Sequence, residues 1–177
     1  MADIDAILVD NLKECLRQTN RYLNAGFFSS LIVFALAVDP AAFAGASGIS
    51  IPSLTTLPLK HAQIALVGVY WLSPFMAYFT VSRAHRIAIE LQKRDRQLVS
   101  AASTFPCILT SRVHGPRILI CLLPPLLVSI AGWTTGVFNF SFLGLFLFLQ
   151  SLIPHVSLYI DRLRRSFGEL APDAFGD

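Results

Sequence analysis

A chain of 177 residues has room for one domain, and it is 54% hydrophobic and only 14% charged, against about 45–50% apolar and about 25% charged for ordinary soluble domains. That composition excludes a conventional water-soluble fold: too little polar surface is on offer to cover it, and lipid is the natural solvent. The net charge of +3 is uninformative as a total, but the placement of the charges is not.

Residues 1–22 read as an amphipathic helix. Ile4, Ile7, Leu8, Leu12, Cys15 and Leu16 recur at three- and four-residue spacing, the helical period. Asp3 and Asp5 stand at its start and Arg17 and Arg21 near its end, which complements the helix dipole. The apolar run Leu23–Val38 follows. With Ala42-Phe43-Ala44 behind it, this run could pass for the core of a signal peptide. The leading segment is too long and too amphipathic for that, so a permanent first span is expected. Residues 39–61 form a loop in which Pro40, Pro52 and Pro58 interrupt any regular helix.

Three further apolar runs follow: Ile64–Val81, Ile118 to about Trp133, and about Val137 to Ile160. A spanning helix needs about 17–25 residues, so the pattern predicts four transmembrane helices within residues 23–160. Pro74 and Pro124-Pro125 should bend the second and third. Between the second and third spans lies a polar segment, 83–117. It carries Arg83, Arg86, Lys93, Arg94, Arg96, Arg112 and Arg117 against Glu90 and Asp95. Ala84, Ile87, Leu91, Leu98 and Ala102 keep helical spacing in it. The second span is therefore expected to continue as a helix to about Ala102, projecting about 30 Å beyond the membrane at 1.5 Å per residue. Residues 161–177 read as a short tail, basic at first and then loose.

Charge orients this arrangement. With the amino terminus inside, segments 1–22, 83–117 and 161–177 hold thirteen of the fourteen cations and leave only Lys60 outside. Short loops rich in Lys and Arg stay on the cytoplasmic side. The expected fold class is thus an all-α integral membrane protein with four transmembrane helices, an N-terminal amphipathic helix and a cytoplasmic extension of the second span. Both termini should be cytoplasmic, in a plasma (bacterial inner) membrane.

No catalytic, cofactor or metal signature emerges. Cys15, Cys107 and Cys121 are scattered, as are His61, His85, His114 and His155, and no C-x-x-C or H-E-x-x-H spacing occurs. No acid lies between Asp95 and Asp161, so the buried carboxylates of coupled pumps are missing. The cations of the polar segment are not interleaved with aromatics, which argues against direct nucleic-acid contact. The small-x-x-x-small pairs Gly26/Ser30 and Gly132/Gly136 allow close helix packing, within the chain or between copies in a homo-oligomer. Arg86, Glu90, Lys93, Arg94 and Arg96 form the expected docking face for a cytosolic protein. In layout alone, the chain resembles small multi-pass components of bacterial membrane-surveillance or phage-defence systems. The expected function is a non-catalytic, homo-oligomeric membrane subunit that anchors a cytosolic partner or senses the membrane for it. The alternative is an oligomeric channel or pore-forming effector.

Overall fold

The computed structural model describes residues 2–38, 49–51, 54–57, 59–103, 105, 107–108, 114–135 and 140–170. Five helices dominate it: α1 (Ala2–Val38), α2 (Leu59–Arg94), α3 (Arg96–Ser103), α4 (His114–Thr135) and α5 (Phe140–Leu170). Between α1 and α2 lies one antiparallel hairpin of β1 (Ile49–Ile51) and β2 (Leu54–Leu57), pairing Ile49 with Leu57 and Ile51 with Leu54. Two helical stretches, Ile4–Val38 and Ile64–Arg94, are long and apolar enough to cross a membrane. Only 28% of the most apolar window in each is buried, whereas the core helix of a soluble protein would be mostly covered.

The amphipathic segment and the first apolar run are one unbroken helix of 37 residues. It pairs along much of its length with α2, and three contacts fix the register. Gly26 meets Ser73, Thr19 Oγ1 lies 2.7 Å from Thr80 Oγ1, and Arg94 Nη1 lies 3.2 Å from Asp5 Oδ1. From the first contact to the second is one heptad on each helix, and from the second to the third two heptads on each. This constant step is what a long antiparallel helix pair requires. The α2 face follows it: Tyr70, Ala77, Ala84 and Leu91 are all buried at seven-residue intervals.

The chemistry of this contact changes along its length. At the charged end it is built from Leu12, Leu16, Ala84, Ala88 and Leu91, all nearly inaccessible. Burying a leucine side chain from water contributes about 1.5–3 kcal/mol. At the apolar end the residues are small: Gly26, Ser29 and Ser30 on α1, Ser73 on α2. The serine hydroxyls donate to their own helix at Gly26 O, Phe27 O and Tyr70 O. Pro74 cannot supply the amide that Tyr70 O would otherwise accept, and the Ser73 hydroxyl donates to it instead, 3.1 Å away.

The polar segment departs from the continuous rod expected of it. The helix stops at Arg94, and Asp95 Oδ1 accepts from Gln97 N at 2.8 Å. That is an N-cap, and it starts α3 afresh. The chain then returns over α1: Val99 and Ala102 are buried with Leu12 and Leu16, and the Cys107 thiol donates to Leu16 O at 3.4 Å. Residues 161–170 also depart from the expected loose tail. α5 runs on to Leu170, and Ile160 and Phe167 enter the same core. The result is a compact head made of the charged halves of α1, α2 and α5, closed by α3. Residues 171–177 lie outside the described residues.

The register makes a prediction. A Cβ on Gly26 would overlap Ser73 Oγ and come within 3.0 Å of Ser73 Cβ, whereas one on Gly68 meets nothing within 4 Å. Gly26→Ala should therefore destabilise the protein by about 1–3 kcal/mol, with partial recovery on adding Ser73→Ala. Gly68→Ala should be neutral or gain up to ~1 kcal/mol. Thermal melting of purified protein by circular dichroism checks the order.

Candidate functional site: the charged head and its border with the apolar belt

One stripe of α2 faces outward from Leu72 to Lys93. It runs Leu72, Met76, Phe79, Arg83, Arg86, Glu90, Lys93, each exposed. Its side chains are apolar through Phe79 and charged from Arg83 onward, a switch within one helical turn. The same switch occurs on α5, where exposed Leu158 and Tyr159 give way to Arg162 and Arg165, and on α1 between Arg21 and Phe28. Tyr78 of α2 and Tyr159 of α5 pack together at this level, ring centroids 4.8 Å apart and planes inclined at 56°. Tyrosine with arginine just beyond it is what the border between hydrocarbon and headgroups selects.

Above that border stand the residues singled out in the polar segment. Arg86, Glu90, Lys93, Arg94 and Arg96 are all exposed, but they do not act alike. Arg94 is tied to Asp5 across the tip of the α1–α2 pair. Arg86, Glu90 and Lys93 lie on the outward stripe, and Arg96 opens α3 beside them. Sequence reasoning missed the acidic contribution of α1 at this tip. Asp5 lies in the first turns of α1, and its role there follows from the antiparallel register rather than from a local pattern.

Behind this surface the head is tightly tied. Arg17 pairs with Glu14 at 2.8 Å and lies over the Phe105 ring at 5.6 Å. Asn20 Oδ1 accepts from Ile108 N at 3.4 Å. The thiols of Cys15 and Cys107 are both buried and form no disulfide. Burial pushes the Cys15 thiol above its ordinary value, with Arg83 opposing and Glu14 reinforcing the shift. A buried thiol that resists ionising is a packing residue rather than a nucleophile. Among the described residues, no three His, Cys, Asp or Glu side chains gather as metal ligands.

The small residues are employed inside the chain. Gly26 is filled by Ser73, Ser30 is fully buried, and Gly132 is buried on α4. Gly136 lies outside the described residues. Beside the Gly26–Ser73 contact a cavity of ≈ 60 Å³ opens between four helices. Its walls include Gly26 and Ser73, Ile120 and Pro124 of α4, and Ser157 and Arg164 of α5. On its far side α4 and α5 are joined by Gln150, whose Nε2 donates to Pro125 O at 2.6 Å and Ser129 Oγ at 3.0 Å.

No known family model, characterised protein or solved structure matches this chain.

The head's construction predicts unequal effects of its two kinds of contact. Leu91→Ala, which opens a cavity in a fully buried site, should cost about 2–5 kcal/mol. Arg94→Gln breaks only a partly exposed pair and should cost under about 1 kcal/mol. It should nevertheless speed amide exchange in the first two turns of α1. Hydrogen exchange with mass readout separates these outcomes. In variants keeping only Cys15 or only Cys107, maleimide labelling should be slow until denaturant is added.

Proposed function

We propose that the chain is a four-pass protein of a bacterial inner membrane whose cytoplasmic head anchors a cytosolic protein or reports the state of the membrane to it. The observation that carries this reading is the continuity of α1, α2 and α5 from apolar belt to packed head. Each is a single helix that leaves the belt and locks into one shared core. A head tied to three spanning helices holds its surface at a fixed distance and orientation from the bilayer, which suits an anchoring or sensing subunit. From Leu59 to Phe79, α2 offers a length of about 30 Å at 1.5 Å per residue, enough to span the hydrocarbon.

The docking surface in this reading is the outward stripe Arg86, Glu90 and Lys93 with Arg96 beside it. Its excess of cations favours a partner with an acidic face. Arg94 supports the surface through Asp5 rather than meeting the partner. Gly26 and Ser30 are engaged within the chain, so assembly into a homo-oligomer would use other faces, such as the exposed Phe28 and Ile32 of α1.

Topology and binding are tested separately. A cysteine at His61, which is exposed at the start of α2, should react with an impermeant maleimide added outside intact cells. One at Gln97 should react only after lysis; the reverse pattern overturns the orientation. For binding, full-length protein in mild detergent should retain a cytosolic protein in moderate salt, and Arg86→Glu with Lys93→Glu should release it. Retention that vanishes at modest salt in the unaltered protein would reduce the stripe to lipid electrostatics. Steady ion conductance in liposomes without any partner would instead favour a pore.

A further inference from the structure

We infer that the cleft between the charged halves of α4 and α5 is a binding site for an anionic phospholipid of the inner leaflet. The inference rests on the membrane reading above and adds a ligand to it.

The cleft follows from how α4 and α5 meet. Among the described residues they touch sparsely. Gln150 pins them together at Pro125 and Ser129, and on the charged side of that pin a cavity lies between them. Ile120 and Pro124 then face Ser157, Ile160 and Arg164 across the ≈ 60 Å³ cavity. The α1–α2 pair backs it at Gly26 and Ser73. By volume it takes about four waters, or a short alkyl segment, but its lining is mostly apolar. Water finds few partners there, and a methylene chain finds many.

The end of the cavity nearer the head has the opposite character. Arg164 lies at the cavity with only 14% of its side chain exposed, and Asp161 beside it is 3.9 Å away. The Asp161 carboxylate is engaged more closely by Arg165, at 2.7 Å. Arg162, Arg164 and Arg165 against Asp161 leave this turn net cationic. It stands one turn beyond the Tyr78–Tyr159 pair, at the depth where phosphates of the bilayer lie. An apolar slot entered from a cationic rim at phosphate depth matches one ligand that is always present: a phospholipid with a net negative headgroup. Arg164 would hold the phosphate, and the first methylenes of one acyl chain would fill the slot.

The test is lipid retention by the full-length protein. Protein purified in mild detergent is exchanged into mixed micelles of phosphatidylglycerol and phosphatidylcholine, and bound lipid is counted by native mass spectrometry. About one phosphatidylglycerol per chain should persist in preference to phosphatidylcholine. Arg164→Gln should lower its occupancy about fivefold, the equivalent of ~1 kcal/mol for one basic group. Ser157→Phe, which fills the slot, should remove both lipids. Arg162→Gln removes the same charge from an exposed side chain outside the slot and should leave retention nearly unchanged. Equal loss from Arg164→Gln and Arg162→Gln, or no retained lipid in the unaltered protein, overturns the inference. Alkaline carbonate extraction distinguishes the two failures. If the protein stays in the membrane pellet but keeps no lipid, this inference alone is wrong; if it leaves with the supernatant, the membrane reading falls as well.

Discussion

The antiparallel contact between α1 and α2 sets the geometry of everything else. Its three register points, Gly26–Ser73, Thr19–Thr80 and Asp5–Arg94, run through both the apolar and the charged halves of the pair. That continuity explains the change of residue types along it. Hydrophobic burial drives association of helices in water, and at the charged end leucines do the packing. Hydrocarbon would remove that driving force and leave close approach of small residues to replace it, the kind of contact found at the apolar end. Leu12 and Leu16 giving way to Gly26 and Ser30 on a single helix face records that switch. Thr19 and Thr80, hydroxyl to hydroxyl, stand between the two regimes.

The break at Asp95 decides what the polar segment becomes. A rod running on to Ala102 would have carried Val99 and Ala102 into water and left the upper faces of α1 and α2 uncovered. Capping by Asp95 ends one helix and begins another within a single residue. α3 then lays its apolar face on Leu12, Leu16 and Leu91. The cations are thereby left outside: Arg86, Lys93 and Arg96 face solvent because the apolar residues between them have an inward surface to meet. Arg94 is the exception, and its partner comes from the far end of α1.

Much of this was readable from periodicity, and the failures have identifiable causes. The heptad Ala84, Ile87, Leu91 and the α1 series Leu8, Leu12, Leu16 read as helical faces, and both pack into the head's core, with Leu8 and Ile87 only partly buried. The break at Asp95 was masked by strong helical spacing on both sides, although an Asp two residues before Gln97 was a capping signal. The continuation of α5 was also written in the sequence: Ile160, Leu163, Phe167 and Leu170 keep three- and four-residue spacing. The arginines among them drew attention away from it. The strands of the hairpin, I-S-I and L-T-T-L, are rich in β-branched residues, yet the prolines nearby suggested only an irregular loop. The Gly26–Ser73 and Asp5–Arg94 contacts could not be read locally, since each joins residues far apart in sequence through a register that only the folded pair defines.

Gln150 shows how one polar group can shape the apolar half. A side-chain amide buried among hydrocarbon is costly unless its donors are used, and α4 offers an unusual acceptor. The consecutive prolines at 124 and 125 bend the helix backbone, and Pro125 O faces α5 within 2.6 Å of Gln150 Nε2. The Ser129 hydroxyl, itself donating to Pro125 O at 2.7 Å, accepts the same amide. This three-way knot holds α4 to α5 at one depth. Nearer the head, Ile160 and Phe167 of α5 enter the core shared with α1 and α2. α5 is thus held to α4 by Gln150 and to the head by Phe167, and the cavity lined by Ile120, Pro124 and Ser157 lies between those two anchor points.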